Sequence, residues 1–129
     1  PIAPPIEDEY TWKKCFTGGG CVINDGEITI VGDMMSSGYN KDIAHSEKIA
    51  KKMLATAQLS HIIAKANEGW ELDWNNSQQA KYVIIRGFNS IDIDFVTIRH
   101  SFLAFRSFEI IDKVLAQNER LIKDYFMVD

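Results

Sequence analysis

The chain has 129 residues, of which 46% are hydrophobic and 25% are charged, and its formal net charge is -4. This length accommodates one domain with its own hydrophobic core, and the composition excludes a disordered chain. The acidic balance argues against a general affinity for nucleic acid phosphates, and no apolar run approaches the roughly 20 residues of a membrane span.

The amino-terminal part of the sequence predicts an extended arm followed by a β-hairpin. Residues 1–9 are rich in proline and acidic side chains and lack the basic and apolar regions of a secretory signal. Residues 10–33 read as a hairpin with its turn at 24–26, because Asn, Asp and Gly accept the positive φ angles of tight turns. The glycines at 18–20 predict a loop or bulge, since a phosphate-binding loop would lead into a helix.

The cysteines and histidines do not form a metal-binding pattern. Cys15 and Cys21 are the only cysteines, with no second pair of the kind that zinc sites use. His45, His61 and His100 are scattered and lack the i, i+4 spacing of helical ligands. We therefore expect two free thiols, no metal and no cofactor.

A long helix is expected in residues 43–69, with Ser46 as its N-cap and with Asn67 and Gly69 ending it. Residues 69–80 form a connector that contains two tryptophans. Strands are then expected over 81–87, 90–100 and 102–106, the second with isoleucines on one face and aspartates on the other, as in a sheet with one wet face. A last helix is expected over 107–126, capped by Ser107.

The two halves of the chain are similar when one is shifted by 61 residues onto the other. The shift superimposes Ser46, Lys52, Leu54 and Ala55 on Ser107, Lys113, Leu115 and Ala116. Each half then reads as a hairpin, a short strand and a Ser-capped helix. This similarity has two interpretations, which are a duplicated ββ(β)α unit and a chance resemblance of the two halves.

The fold class that follows is α+β, with a mostly antiparallel sheet of about five to six strands and two long helices. We expect a single domain over residues 1–129. It consists of an arm (1–9), a first hairpin–helix half (10–68), the connector (69–80) and a second hairpin–helix half (81–129).

Two groups of residues are candidates for binding. The connector offers Trp70, Asp73, Trp74 and Gln79, which would either anchor a partner or close one end of the core, and the second interpretation is favoured. The second-half strands offer a set of aromatic and basic residues that could stack nucleic acid bases, namely Tyr82, Arg86, Arg99 and Arg106. The sequence pattern of known RNA-binding sheets is missing, however.

Catalytic patterns are weak. No nucleophile elbow of the G-x-S-x-G type occurs. Asp92 and Asp94 would lie side by side on a strand and could act as an acid and a base, but a solvated face explains them better. The sequence leans against an enzyme without excluding one.

The segment "GWELDWNNSQQAKYVI" resembles a G-W-x-P-D-W-x-D-x-x-Q-x-K-Y-x-I pattern of small uncharacterised proteins from phages, prophages and other mobile elements, notably of Bacteroides and relatives. Leu72 and Asn76 depart from the pattern, and the matching residues are Trp70, Asp73, Trp74, Gln79, Lys81 and Tyr82. The helix "SEKIAKKMLATAQLSHIIAKAN" is similar to the T-E-x-x-A-x-x-x-L-A-x-A-Q-L-S helix of the same family, and the carboxyl end is similar as well. The resemblance implies an origin and a fold, but no activity.

These observations favour a non-enzymatic interaction protein that binds a protein partner, either a host protein or a component of a particle. The alternatives are a nucleic-acid-associated accessory factor that uses the second-half sheet, and a small enzyme. We expect the bacterial cytoplasm or a phage particle as its location and no membrane association. Free sheet edges leave a homodimer open.

Overall fold

The computed structural model describes residues 10–39, 41–88, 90–96 and 103–129. The fold is α+β with antiparallel strand pairing, as the sequence predicts, but the strands of the described residues form two three-stranded sheets instead of one sheet of five to six strands. Contacts divide the chain between Ala50 and Lys51 into two compact units, called unit 1 and unit 2 here. The sequence-based halves instead meet at the connector, and their bounds stay a prediction.

Unit 1 contains a three-stranded antiparallel sheet and two short helices. Its elements are α1 (Trp12–Cys15), β1 (Gly20–Asn24), β2 (Glu27–Val31), α2 (Met34–Ser37), β3 (Asp42–Ala44) and the start of α3 (Glu47–Ala66). The strand order is β2-β1-β3, so β1 is the central strand. Asp25 and Gly26 connect β1 to β2 with φ angles of 54° and 76°, which confirms the predicted turn.

The core of unit 1 is made of small side chains. Cys21, Ala44 and Ala50 are buried, and Ile23 and Ile28 pack against them. Neither cysteine is part of a disulfide, and Cys15 is exposed whereas Cys21 is buried. The apolar surface that this face of the sheet removes from water is therefore small, whereas Met34 is fully buried near Gly20 on the other face.

The two short helices of unit 1 were not predicted. Residues 10–19 read as the start of the hairpin, but four of them form α1, and β1 begins only at Gly20. After β2, Asp33 accepts a hydrogen bond from the Met35 backbone N–H at 3.0 Å and so caps α2. A single turn of helix is too short to show a helical period in the sequence.

Unit 2 contains most of α3 and a second three-stranded antiparallel sheet. Its further elements are β4 (Lys81–Arg86), β5 (Ile91–Val96), β6 (Ala104–Phe105), α4 (Phe108–Gln117) and α5 (Glu119–Tyr125). The order is β5-β4-β6, with β4 in the centre. The predicted strands are confirmed at these positions, while residues 97–102, which include the end of the second predicted strand, lie outside the described residues.

The core of unit 2 is larger and consists of bulky side chains. Its buried members are Leu59, Ile84, Leu103, Phe105, Ile111, Val114 and Ile122. The opposite face of the sheet is exposed at Asp92, as predicted, but Lys81, Val83 and Ala104 on that face are fully buried. The expectation of one wet face is therefore wrong for β4 and β6.

The last helix is divided, so the expectation of two long helices is corrected. Asn118 leaves the helical conformation with φ -135° and ψ 33°, which ends α4 and starts α5. Its side-chain amide donates to the Val114 carbonyl at 3.1 Å. Asparagine competes with the helix for such backbone groups, which explains the break at this residue.

The two units share one plan. In each, a hairpin is followed by a strand that pairs with the first hairpin strand, and then by a helix capped by serine. Ser46 and Ser107 accept hydrogen bonds from the backbone N–H groups of Ile49 and Ile110 at 3.2 and 3.3 Å. The strand register obeys the same shift of 61 residues: Cys21 pairs with Ala44 and Val22 with Ile43 in unit 1, as Tyr82 pairs with Phe105 and Val83 with Ala104 in unit 2.

Candidate functional site

The connector between α3 and β4 is held by its own side chains. Gln79 accepts a hydrogen bond from the Asp73 backbone N–H and donates one to the Glu71 carbonyl, both at 2.8 Å. The carboxylate of Asp73 accepts from the Asn75 N–H, and the side chain of Asn76 accepts from the Gln78 N–H, both at 2.9 Å. These bonds are turn-forming, so Asp73 and Gln79 have a structural role here.

Lys81 ties this connector to the sheet. The side chain is fully buried, and its ammonium donates to the carbonyls of Asn76 and Gln79, both at 3.1 Å. The same ammonium lies 5.0 Å from the ring centroid of Trp74. A buried ammonium needs such partners, and the connector supplies them from its carbonyls and its aromatic ring.

Both tryptophans of the connector are half-buried. Trp70 follows the end of α3, where its N–H donates to the Asn67 carbonyl at 2.8 Å and where Gly69 adopts a φ of 82°. Trp74 covers Lys81. A binding role for either ring stays a prediction, and the geometry supports the closing role more directly.

The described members of the basic and aromatic set predicted on the second-half strands have different surroundings, although Tyr82 and Arg86 share one face of β4. Tyr82 lies on the core-facing side of β4, half-buried, with its ring 5.3 Å from that of Phe95 in an edge-to-face arrangement. Arg86 is exposed and donates to the Phe126 carbonyl at 3.1 Å. Arg106 follows β6 and lines a groove described below. Arg99 lies outside the described residues.

An exposed group of aromatic rings lies in unit 1. We call Trp12, Phe16 and Tyr39 the aromatic cluster. Ring centroids are 5.3 Å apart for Trp12–Tyr39, 6.0 Å for Trp12–Phe16 and 5.0 Å for Phe16–Tyr39. Trp12 is 59% exposed and Tyr39 is 46% exposed. The ammonium of Lys13 lies 5.7 Å and 5.8 Å from these two rings.

Local structure explains how the aromatic cluster forms. Trp12 and Phe16 lie one helical turn apart at the two ends of α1, which places their rings on one side. The side chain of His45 donates to the Cys15 carbonyl at 2.9 Å and holds the end of α1. Tyr39 follows Gly38, whose φ of 94° directs the chain after α2. The i, i+4 spacing of Trp12 and Phe16 is the sequence signal for two neighbouring rings. The contact of Tyr39 with these rings cannot be predicted from the sequence.

A second surface feature lies in unit 2, between α3 and α4. It is a groove of about 730 Å³ with basic side chains at its rim and apolar side chains at its floor. We call it the cationic groove. The rim carries His61, Lys65, Arg106 and Lys113, and the floor carries Ile62, Ala66, Ile110 and Val114.

The other side of α4 has the opposite charge. A groove of about 510 Å³ is lined there by Asp112, Glu119 and Asp129, with Lys123 as its only basic residue. Lys123 forms an ion pair with Glu119 at 2.9 Å, and this hydrogen bond and charge lower the pKa of the Glu119 carboxyl. The charges of unit 2 are thus segregated across α4.

Possible metal ligands and the two aspartates considered for catalysis were compared within the described residues. In that part of the chain no group of three or more His, Cys, Asp or Glu side chains could hold a metal ion. Asp92 accepts a hydrogen bond from the Ser90 hydroxyl at 3.0 Å, and Asp94 accepts from the Phe95 N–H at 2.9 Å. Both carboxylates therefore have local structural partners. Over the same described ranges, no helix is long and apolar enough to cross a membrane.

Comparison with protein-family models, with curated proteins and with solved structures gave no match for this chain. The resemblance of the connector to a mobile-element pattern stays a prediction, and the functional argument rests on the surfaces described above.

Proposed function

We propose that this protein is a non-enzymatic interaction protein that binds a protein partner through the aromatic cluster of unit 1. The exposure of Trp12 and Tyr39 within a group of touching rings carries this proposal. Tryptophan and tyrosine are the residues that most often dominate the binding energy of protein interfaces. Burying such rings against a partner removes a large apolar area from water.

The arrangement of the rings also favours binding. Because each ring of the cluster already contacts the other two, fewer rotamers remain to be frozen when a partner binds. Tyr10 and Met35 are 87% and 51% exposed in the segments next to α1 and at α2, and they extend the apolar character of this region. Lys13 adds a charged rim that would suit an acidic residue on the partner.

The origin and location follow from the sequence pattern alone and belong to the same proposal. A mobile element of Bacteroides or a relative would encode this protein, and the partner would be a host protein or a component of the phage particle. The bacterial cytoplasm or the particle would then be its location.

A paired affinity capture tests the function. The tagged protein and its Trp12→Ala/Tyr39→Ala variant are used as baits in a Bacteroides lysate, and captured proteins are identified by mass spectrometry. We expect at least one partner that the wild type retains and the double variant loses. Isothermal titration with that purified partner should then reproduce the difference.

The matched control is Ile30→Ala, which removes an isolated apolar side chain that is 74% exposed on β2. It should retain the partner. Identical captures by the wild type and the double variant, or the loss of the partner from both variants, would contradict the proposal. Binding of oligonucleotides by fluorescence anisotropy at low salt would support the nucleic-acid alternative instead.

A further inference from the structure

The cationic groove of unit 2 has a sign opposite to that of the whole chain. The protein carries a formal net charge of -4, yet no acidic side chain lies among the residues that line this groove. Four basic side chains, His61, Lys65, Arg106 and Lys113, are all exposed at its rim. A local reversal of charge in an acidic protein concentrates anionic ligands at that place.

Most of these basic groups are not used inside the protein. Lys65 forms an exposed ion pair with Glu68 at 3.0 Å. The side chains of His61, Arg106 and Lys113 have no hydrogen-bond or ion-pair partner among the residues that the structure describes. These side chains are therefore available to a ligand without the loss of an internal contact, and Arg106 and Lys113 bring a positive charge each.

The floor of the groove indicates the shape of that ligand. α3 contributes Ile62 and Ala66, and α4 contributes Ile110 and Val114, so each helix presents an apolar pair at i, i+4 spacing. On both helices a basic residue directly precedes an apolar one, as in Lys113 and Val114. The basic side chains therefore follow the edges of an apolar strip.

We propose that the cationic groove binds an acidic amphipathic helix of a protein partner, with apolar side chains on the floor and carboxylates facing the basic rim. The residues of α4 that line the groove, from Ile110 to Gln117, extend over about 10 Å, or two helical turns, at a rise of 1.5 Å per residue. Helix-in-groove recognition uses such i, i+4 anchors, and charge complementarity then sets the orientation of the partner. This binding surface is separate from the aromatic cluster, and the proposal does not depend on the function proposed above.

The apolar floor distinguishes this occupant from nucleic acid. A site for single-stranded nucleic acid combines basic side chains with aromatic rings on which bases stack. The cationic groove has aliphatic side chains at its floor and no Phe, Tyr or Trp in its lining. An apolar strip between two basic edges is complementary to a peptide with leucines between glutamates.

A designed peptide provides the test. The probe is a fluorescein-labelled helical peptide of about 15 residues, long enough to be partly helical in water, with leucines at i, i+3, i+4 and i+7 and glutamates beside them. Binding to the full chain is measured by anisotropy at low salt. The comparison probes are a scrambled peptide of equal composition, a peptide with lysines in place of the glutamates, and an oligothymidine.

The variant Arg106→Glu/Lys113→Glu reverses two exposed rim charges. We expect it to weaken binding of the acidic peptide by about tenfold or more, and to bind the lysine peptide better than the wild type does. The matched control Lys14→Glu/Lys41→Glu makes the same charge change at residues that do not line the groove and should leave the affinity within about twofold. A thermal melt of each variant checks that it is folded.

Three results would overturn the proposal. They are equal binding of the scrambled and helical peptides, unchanged binding by the groove variant, and tighter binding of oligothymidine that the groove variant abolishes. The last result would assign the groove to nucleic acid.

Discussion

Unit 1 and unit 2 follow the same plan but fill it with side chains of very different size. The shift of 61 residues places Cys21, Ala44 and Ala50 of unit 1 at the positions of Tyr82, Phe105 and Ile111 in unit 2. The backbone pairing is the same at these positions, so the register does not depend on the bulk of the core. The apolar area that is buried does depend on the size of the core side chains. Unit 2 should therefore be the more stable part of the molecule.

The opposite face of each central strand shows a similar contrast. Gly20 of β1 corresponds to Lys81 of β4. A Cβ atom at Gly20 would collide with the side chain of Met34 and with the Ala44 carbonyl, so that glycine makes room for a buried methionine. In unit 2 the corresponding lysine fills its own space and is covered by the connector. One position is thus used in two different ways.

The largest expected difference between the units concerns Phe105. Phe105→Ala should lower the free energy of unfolding by about 3–5 kcal/mol, because a fully buried ring is removed from the larger core. Ala44→Gly, at the corresponding position, should cost about 0.5–1 kcal/mol. Urea denaturation measures both. Similar costs for the two changes would contradict the contrast between the cores.

Lys81→Ala should be the next largest effect. It removes a buried ammonium and leaves the carbonyls of Asn76 and Gln79 without their donor, at a cost of about 2–3 kcal/mol. Lys81→Met keeps most of the volume and should cost less. Denaturation of the two variants separates the contribution of the ammonium from that of side-chain packing. Equal losses would show that the packing of the aliphatic stem contributes little and that the ammonium accounts for the effect.

The tryptophans of the connector should have smaller effects than fully buried rings. Trp74→Ala should cost about 1–3 kcal/mol, because the ring is half-buried and covers the Lys81 ammonium. In a double-mutant cycle its effect should shrink when Lys81 is already methionine. Additive effects would show that the two residues act independently.

Removal of the helix caps should change the free energy of unfolding least, and by similar amounts in the two units. Ser46→Ala and Ser107→Ala each remove one hydrogen bond to the third residue of a helix and should each cost about 1 kcal/mol. Thermal unfolding of the two variants checks this. A cost at only one of the two serines would mean that the corresponding caps are not energetically similar.

Features set by neighbouring residues were predicted from the sequence. Such features depend on a few residues with strong conformational preferences. They are the turn at Asp25 and Gly26, the strands β1, β2 and β4, and the caps Ser46 and Ser107. The break at Asn118 was missed because the apolar stripe of the last helix continues across it.

The surfaces proposed for binding could not be predicted in the same way. The aromatic cluster needs Tyr39 to meet Trp12, and the cationic groove needs two helices to place His61 beside Arg106 and Lys113. These distances are set by tertiary packing. The sequence instead drew attention to Trp70 and Trp74, whose spacing is conspicuous, and the structure shows the second of them covering a buried lysine.

Native-state hydrogen exchange compares the two units most directly. The backbone amides of Cys21 and Val22 in β1 occupy the same ladder positions as those of Tyr82 and Val83 in β4. We expect the β4 amides to exchange more slowly by roughly a hundredfold, because unit 2 has the larger core and opens with a higher free energy. Equal protection of the two central strands, or slower exchange in β1, would contradict the claim that one shared plan carries two cores of unequal stability.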